Sequence, residues 1–189
     1  MTAVREGDLA QLGLLFERYH APLFDFLSRL TGDRVAAEDL VQDIFVRILK
    51  YRATYRDDGS FETWLFRIAR NARADYFRTR SRNEPLADDA FDAPEPGPGP
   101  ARRLEAERDR ARLKRALLAL REDKRELIVL ARYHGMKHER IAELLGIEVG
   151  AVKVRIHRAL RELREIFLKI PDGNAPWDVK KSRPSLQII

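Results

Sequence analysis

The chain has 189 residues, no cysteine, and 36 Lys plus Arg against 30 Asp plus Glu, for a formal net charge of +6. That length holds one large domain or two small ones, and small helical domains bury so little core that partners are expected to complete them. Disulfides and thiolate-bound metals are excluded, no apolar run reaches the length of a membrane span, and the basic excess suits a nucleic-acid partner without proving one.

From Met1 to Gln11 the chain carries Glu6 and Asp8 and lacks an apolar signal core, so a cytoplasmic protein is expected. Residues 8–30 place Leu9, Leu12, Leu15, Phe16, Tyr19, Leu23, Phe26, Leu27 and Leu30 at three- and four-residue steps. This is a helical stripe, which Pro22 is expected to break or kink. Thr31-Gly32-Asp33 reads as a stop followed by a cap. A second helix over 34–50 buries Val35, Ala37, Leu40, Val41, Ile44, Phe45, Ile48 and Leu49. Tyr51 to Gly59 is a polar loop, and Ser60 suits the cap of a third helix, roughly 61–80, with Trp64, Leu65, Ile68, Ala72 and Tyr76 inward.

Between Arg82 and Arg102 stand Pro85, Pro94, Pro96, Pro98 and Pro100, with Gly97 and Gly99 among the last of them. Proline removes donors and fixes φ, so this stretch reads as a solvated spacer. Its charge is wholly acidic until Arg102: Glu84, Asp88, Asp89, Asp92 and Glu95. Four more helices follow, near 102–119, 123–134, 138–145 and 149–168, and nothing shows strand alternation. Pro171 to Ile189 reads as an extended or disordered tail.

His138 to Leu163 carries the strongest pattern. Ile141, Ala142, Leu144 and Leu145 make a short amphipathic helix, Gly146 supplies a tight turn, and Val149, Val152, Ile156, Leu160 and Leu163 point one face of the next helix inward. Small Ala142, turning Gly146 and apolar Val152 fall where a helix-turn-helix requires them. The outward face holds Val154, His157, Arg158 and Arg161, flanked by Lys153, Arg155 and Arg164. Arg and Lys meet phosphates or guanine acceptors, and an exposed Val154 suits a thymine methyl. The third helix has its own basic side, Arg67, Arg70, Arg73, Arg78, Arg80 and Arg82, interleaved with Phe61, Trp64, Phe66, Tyr76 and Phe77. Cations with aromatics suit single-stranded nucleic acid, although Trp64 fits a core position at least as well.

Three segments resemble the sigma-70 family. Ala37 to Phe45 (AEDLVQDIF) resembles the polymerase-binding segment of sigma region 2. Phe61 to Asn71 (FETWLFRIARN) looks like the promoter-melting segment, and Val149 to Leu160 (VGAVKVRIHRAL) resembles the recognition helix of region 4. Their order, and the lack of segments resembling regions 1.1 and 3, identify the chain as similar to the extracytoplasmic-function (ECF) group. The resemblance implies an all-α fold of two small helical domains. Region 2 would span 8–82 and region 4 102–170, joined by the linker 83–101 and followed by the tail 171–189.

The resemblance also implies roles. Asp39, Gln42, Asp43 and Arg47 would bind the β′ coiled coil of core RNA polymerase. Tyr55 to Phe61 would hold a base flipped from the −10 element, with Arg67, Asn71 and Asp75 lining the groove beside it. Lys153, Val154, His157 and Arg158 would read the −35 element as duplex, and region 4 would also meet the β flap. The acidic linker would thread toward the active-site channel. An anti-sigma factor is a further partner the family admits. Ala151 and Val154 stand where many members have Thr and Ser.

No catalytic motif is present, and no cofactor or metal is expected: His134 and His138 lie four apart but Gly135 intervenes, and no third ligand stands near them. Two other readings explain less. A helix-turn-helix regulator acting without polymerase accounts for 138–163 but not 37–71. A sigma mimic that titrates an anti-sigma factor would not need basic promoter-reading faces.

Overall fold

The computed structural model describes residues 1–57, 59–80 and 100–171. The acidic linker, apart from its last two positions, the tail beyond Pro171, and Asp58 of the expected base-binding loop lie outside the described residues. Every described regular element is helical: α1 (Thr2–Arg5), α2 (Gln11–Thr31), α3 (Arg34–Tyr51), α4 (Phe61–Arg80), α5 (Pro100–Ala119), α6 (Glu122–Ile128), α7 (His138–Leu145) and α8 (Val149–Lys169). A 3-10 turn at Arg52–Thr54 and a π turn at Val129–Tyr133 complete the set. The all-α expectation is met.

Local chemistry sets the boundaries. Gly32 closes α2 at φ 77°, a left-handed conformation that glycine adopts without Cβ strain. Asp33 then caps α3, its Oδ1 accepting from the Ala36 N–H at 3.0 Å. α2 runs unbroken through Pro22, so the expected break is absent. α5 starts at Pro100, two residues before the expected start, because the first helical position needs no N–H and suits proline's fixed φ. α1 was not expected, yet Val4 is fully buried there.

The stripes meet in one core. Leu23, Phe26, Leu27 and Leu30 of α2 pack on Leu40, Val41, Ile44, Phe45 and Ile48 of α3 and on Leu65, Phe66, Ile68, Ala69 and Ala72 of α4. The cluster continues without interruption into Leu117, Leu127 to Leu130, Met136, Ile141, Leu144, Val152, Ile156 and Ala159 of the second half. Leu9, Phe16 and Val35 were expected inside and are exposed. Val35 lies one step outside the arc of Ala36, Ala37, Leu40, Val41 and Ile44, and Leu9 precedes α2.

The two halves therefore lie against each other. His134 sits edge-on to Phe26 (5.7 Å) and Phe66 (5.4 Å), and the Arg29 guanidinium stacks 3.8 Å over Tyr133. Arg125 donates to the carbonyls of Leu30, Leu118 and Leu120, joining the ends of α2 and α5 through one charged fork. Arg140 pairs with Glu62 at 2.6 Å. A Cβ at Gly32 would stand 3.1 Å from the Leu118 methyls, a second reason for glycine there.

Candidate functional site

Three surfaces hold the residues singled out from the sequence. On α3, Asp39 and Gln42 are exposed beside Glu38, Val35 and Val46, the last 63% exposed. Asp43 and Arg47 are half-buried at the edge of this face, where they pair with each other. Arg47 Nε donates to Asp43 (2.8 Å) and its Nη1 to Asp75 of α4 (2.7 Å). Asp75 also accepts from Arg78 at 2.8 Å, and its pKa lies below the usual carboxylate range chiefly because Arg47 donates to it. Arg47, expected at the polymerase face, and Asp75, expected at the −10 face, thus form one bridge that fixes α3 on α4. Phe16, exposed, stacks on His20 (5.0 Å) and tilts against Phe45 (4.9 Å), adding an apolar patch beside this helix pair.

The second surface is the loop before α4. Tyr55 is only 5% exposed, with its ring edge-on to Trp64 (5.4 Å) and Phe61 (6.0 Å) and its hydroxyl donating to Asp57 Oδ1 (3.2 Å). Tyr19 of α2 meets Phe61 at 5.1 Å. Arg5 of α1 donates to the Tyr55 carbonyl at 3.2 Å, which ties the N-terminal turn to the loop. Tyr55 is therefore a wall of the loop, whereas half-buried Phe61 keeps one side open. Arg67, Asn71, Ala74 and Arg78 follow on the solvent side of α4.

The third surface is the helix-turn-helix. Gly146 adopts φ 66°, the left-handed turn expected of it, and the Ile147 N–H donates to the Ala142 carbonyl at 3.0 Å. Ala142 and Val152 are buried at the crossing of α7 and α8. The opposite side of α8 presents Lys153, Val154, Arg155, His157, Arg158 and Arg161, all exposed, Val154 to 49%. An apolar side chain stands open in the middle of a cationic row, which suits a DNA groove carrying both phosphates and thymine methyls.

His134 is packed between the two halves, against Phe26 and Phe66. Its Nε2 is buried without a hydrogen-bond partner, 3.6 Å from Asp25 Oδ2, and α7 begins only at His138. Burial pushes its pKa below the ordinary value, against the pull of Asp25 and with the push of Arg29. Its packing is a junction between halves that no local pattern announces. Among the described residues, no three His, Cys, Asp or Glu side chains gather as a metal site would need, and no helix is long and apolar enough to cross a membrane.

Family comparison gives these surfaces a frame. Sigma-70 region 2 matches residues 15–83, and Sigma-70 region 4 matches residues 110–163. The chain is 36% identical over 155 residues to the ECF RNA polymerase sigma factor SigE of Mycolicibacterium smegmatis, covering 80% of this chain and 60% of that protein's length. It is 30% identical over 163 residues to the RNA polymerase sigma factor YlaC of Bacillus subtilis (82% of this chain, 91% of the relative). It is 33% identical over 170 residues to CarQ of Myxococcus xanthus (88% and 95%). Two solved structures share the arrangement. The sigma factor RpoE, in complex with the anti-sigma factor NepR from Bartonella quintana, superposes with a TM-score of 0.68 at 25% identity, covering 83% of this chain and 96% of that one. CnrH, in complex with the cytosolic domain of CnrY, gives 0.64 at 30% identity (86% and 90%).

Regions 2 and 4, in that order on a chain whose described elements are all helical, define the sigma-70 class of transcription initiation factors. The chain belongs to its ECF RNA polymerase sigma factors.

Proposed function

We propose that the chain binds core RNA polymerase through the outer face of α3 and directs it to promoters, as a non-catalytic cytoplasmic subunit. It reads a −35 element as duplex through α8 and holds a melted −10 element at the loop before α4. The observation that carries this reading is the cationic row of α8, open to solvent on a helix whose other face is buried in a helix-turn-helix. Lys153 and Arg158 suit phosphates or guanine, His157 a base edge, and Val154 a thymine methyl. Beside α4, Arg67 and Asn71 suit a displaced strand, and the aromatic wall of Tyr55, Phe61 and Trp64 suits an unstacked base. Exposed Asp39 and Gln42, with Val46 between turns, fit a basic partner helix, which is the chemistry the β′ coiled coil would bring. Asp43 supports that face from its pair with Arg47. Contact with the β flap through region 4, and occupation of the active-site channel by the linker acids, complete the reading. An anti-sigma factor is a proposed further partner, by likeness to RpoE held by NepR and CnrH by CnrY.

Binding to core polymerase tests the first step. Asp39→Arg with Gln42→Arg places two cations on the exposed face of α3 and disturbs no buried contact. The double variant is expected to keep native helicity by circular dichroism and to lose co-elution with core polymerase. Retained co-elution would refute α3 as the docking face.

A further inference from the structure

α1 is a single turn of four residues, and isolated helices so short do not persist in water. Tertiary contacts hold it instead. It lies against α2 and the 3-10 turn at Arg52–Thr54, with Val4 fully buried as its anchor. Beyond it the chain reverses at Gly7, whose φ of 109° strains any residue with a Cβ. Asp8 closes the reversal. Its N–H donates to the Ala3 carbonyl at 2.9 Å, and its carboxylate accepts from the Ala10 N–H and the Gln11 side-chain amide at 3.2 Å each.

Arg5 projects from this anchored turn and donates through Nη1 to the Tyr55 carbonyl, 50 positions away, at 3.2 Å. On the other side of the same residue, the Tyr55 N–H donates to the Arg52 carbonyl at 3.2 Å. The backbone of Tyr55 is therefore held from both sides, while its ring packs edge-on to Phe61 and Trp64. Directly after it the chain opens: Arg56, Asp57 and Gly59 are exposed. The next backbone fixture is Ser60, whose carbonyl accepts from the Trp64 N–H at 3.2 Å as α4 begins. The open part of the loop thus hangs between two posts, and Arg5 secures the first. Glu6 approaches the same guanidinium at 3.6 Å but is 67% exposed, so solvent screens that pair and leaves the fork directed at the carbonyl.

Resting on the −10 assignment above, we propose that Arg5 is a positioning residue for the base-holding loop, with α1 as a clasp on its Tyr55 end. Arg5 itself touches no nucleotide. It keeps the wall of Tyr55, Phe61 and Trp64 in its receiving shape before a base arrives. A loop already fixed in that shape loses less conformational freedom on capture, and the difference appears as a tighter hold on the melted strand. The strand contacts of Arg67 and Asn71, which lie on α4, do not depend on the clasp.

The test uses holoenzyme assembled from the full-length chain and bacterial core polymerase. The probe is a fluorescent single strand carrying the −10 element of a promoter that this holoenzyme transcribes. A companion set replaces each base of the element in turn by an abasic site. The unmodified holoenzyme should bind one abasic strand about tenfold more weakly than the intact strand, which marks the base held in the loop. Arg5→Met keeps the apolar stem and removes the donors. It is expected to weaken binding of the intact strand by about tenfold, the effect of one charge-assisted hydrogen bond, and to leave that abasic strand unchanged within about twofold. Intact and abasic strands would then bind alike. An equal loss on both strands would make Arg5 a support of the fold alone and would overturn the proposal. A full abasic penalty retained in Arg5→Met would overturn it too, while leaving the loop's own role intact. If no abasic position weakens the unmodified holoenzyme, the base-holding role of the loop fails, and the role of Arg5 falls with it.

Discussion

Replacing Phe26 by Ala tests how the two halves are held together. Its ring is fully buried, edge-on to Phe66 at 4.9 Å within the first half and to His134 at 5.7 Å in the second. Phe→Ala in a packed core costs about 3–5 kcal/mol, and loss of an aromatic pair accounts for about 0.5–1.5 kcal/mol beyond area alone. Small domains have only about 5–15 kcal/mol to lose. With a urea slope of about 2 kcal/mol/M, a loss of about 4 kcal/mol moves the midpoint down by about 2 M. Urea unfolding followed by far-ultraviolet circular dichroism measures it. A double-mutant cycle with Phe66→Ala should return a coupling of about 0.5–3 kcal/mol, since the rings touch. Both halves are expected to lose stability, because one core runs through them. A loss below about 1 kcal/mol would refute the junction packing described here.

Other consequences follow from single residues. His134 is neutral in the folded chain, with its pKa held below the ordinary value of about 6.5, first by burial. The unfolded chain therefore binds the extra proton, so this contribution to stability is fully present above about pH 6.5 and is lost as pH falls below it. Urea midpoints measured from about pH 7 to about pH 5 should fall less steeply for His134→Phe than for the unmodified chain, and parallel curves would contradict the assignment. Val154→Ser should change base preference at one position of the −35 element, by about 1–3 kcal/mol, more than it changes overall affinity. Binding to a panel of single-base duplex variants measures this, and a uniform change across the panel would count against it. Replacing Glu84, Asp88, Asp89, Asp92 and Glu95 by Ser or Asn should alter initiation and promoter escape in reconstituted transcription, and unchanged rates would remove the linker from the mechanism.

Periodicity was enough to locate most of the helices. The α3 stripe and the Ala142, Gly146 and Val152 crossing are local patterns, and Gly32 and Asp33 act within a few residues of themselves, so each was legible in the sequence. Phe16 and Val35 misled because an apolar residue near a stripe looks the same whether it lies inside or beside the buried arc. Arg47 and Asp75 pair with each other across 28 positions, a contact that no local pattern carries and only the packing of α3 on α4 reveals. The same holds for Glu122, Glu126, Arg125 and His134. Their partners lie 49 or more residues away in the chain, apart from short-range contacts of Arg125, and charged helix positions of this kind ordinarily read as solvated surface. The buried Val4 and the Arg5 contact with the Tyr55 carbonyl were missed because one four-residue turn has no period to detect.

The most direct measurement is transcription reconstituted from the purified chain, bacterial core polymerase and a promoter library, with the transcript starts sequenced. Initiation is expected at a defined subset of promoters sharing a −35 and a −10 element, and is expected to be lost with Asp39→Arg and Gln42→Arg. No initiation, together with sequence-specific duplex binding by the chain alone, would contradict it and leave a helix-turn-helix regulator in its place.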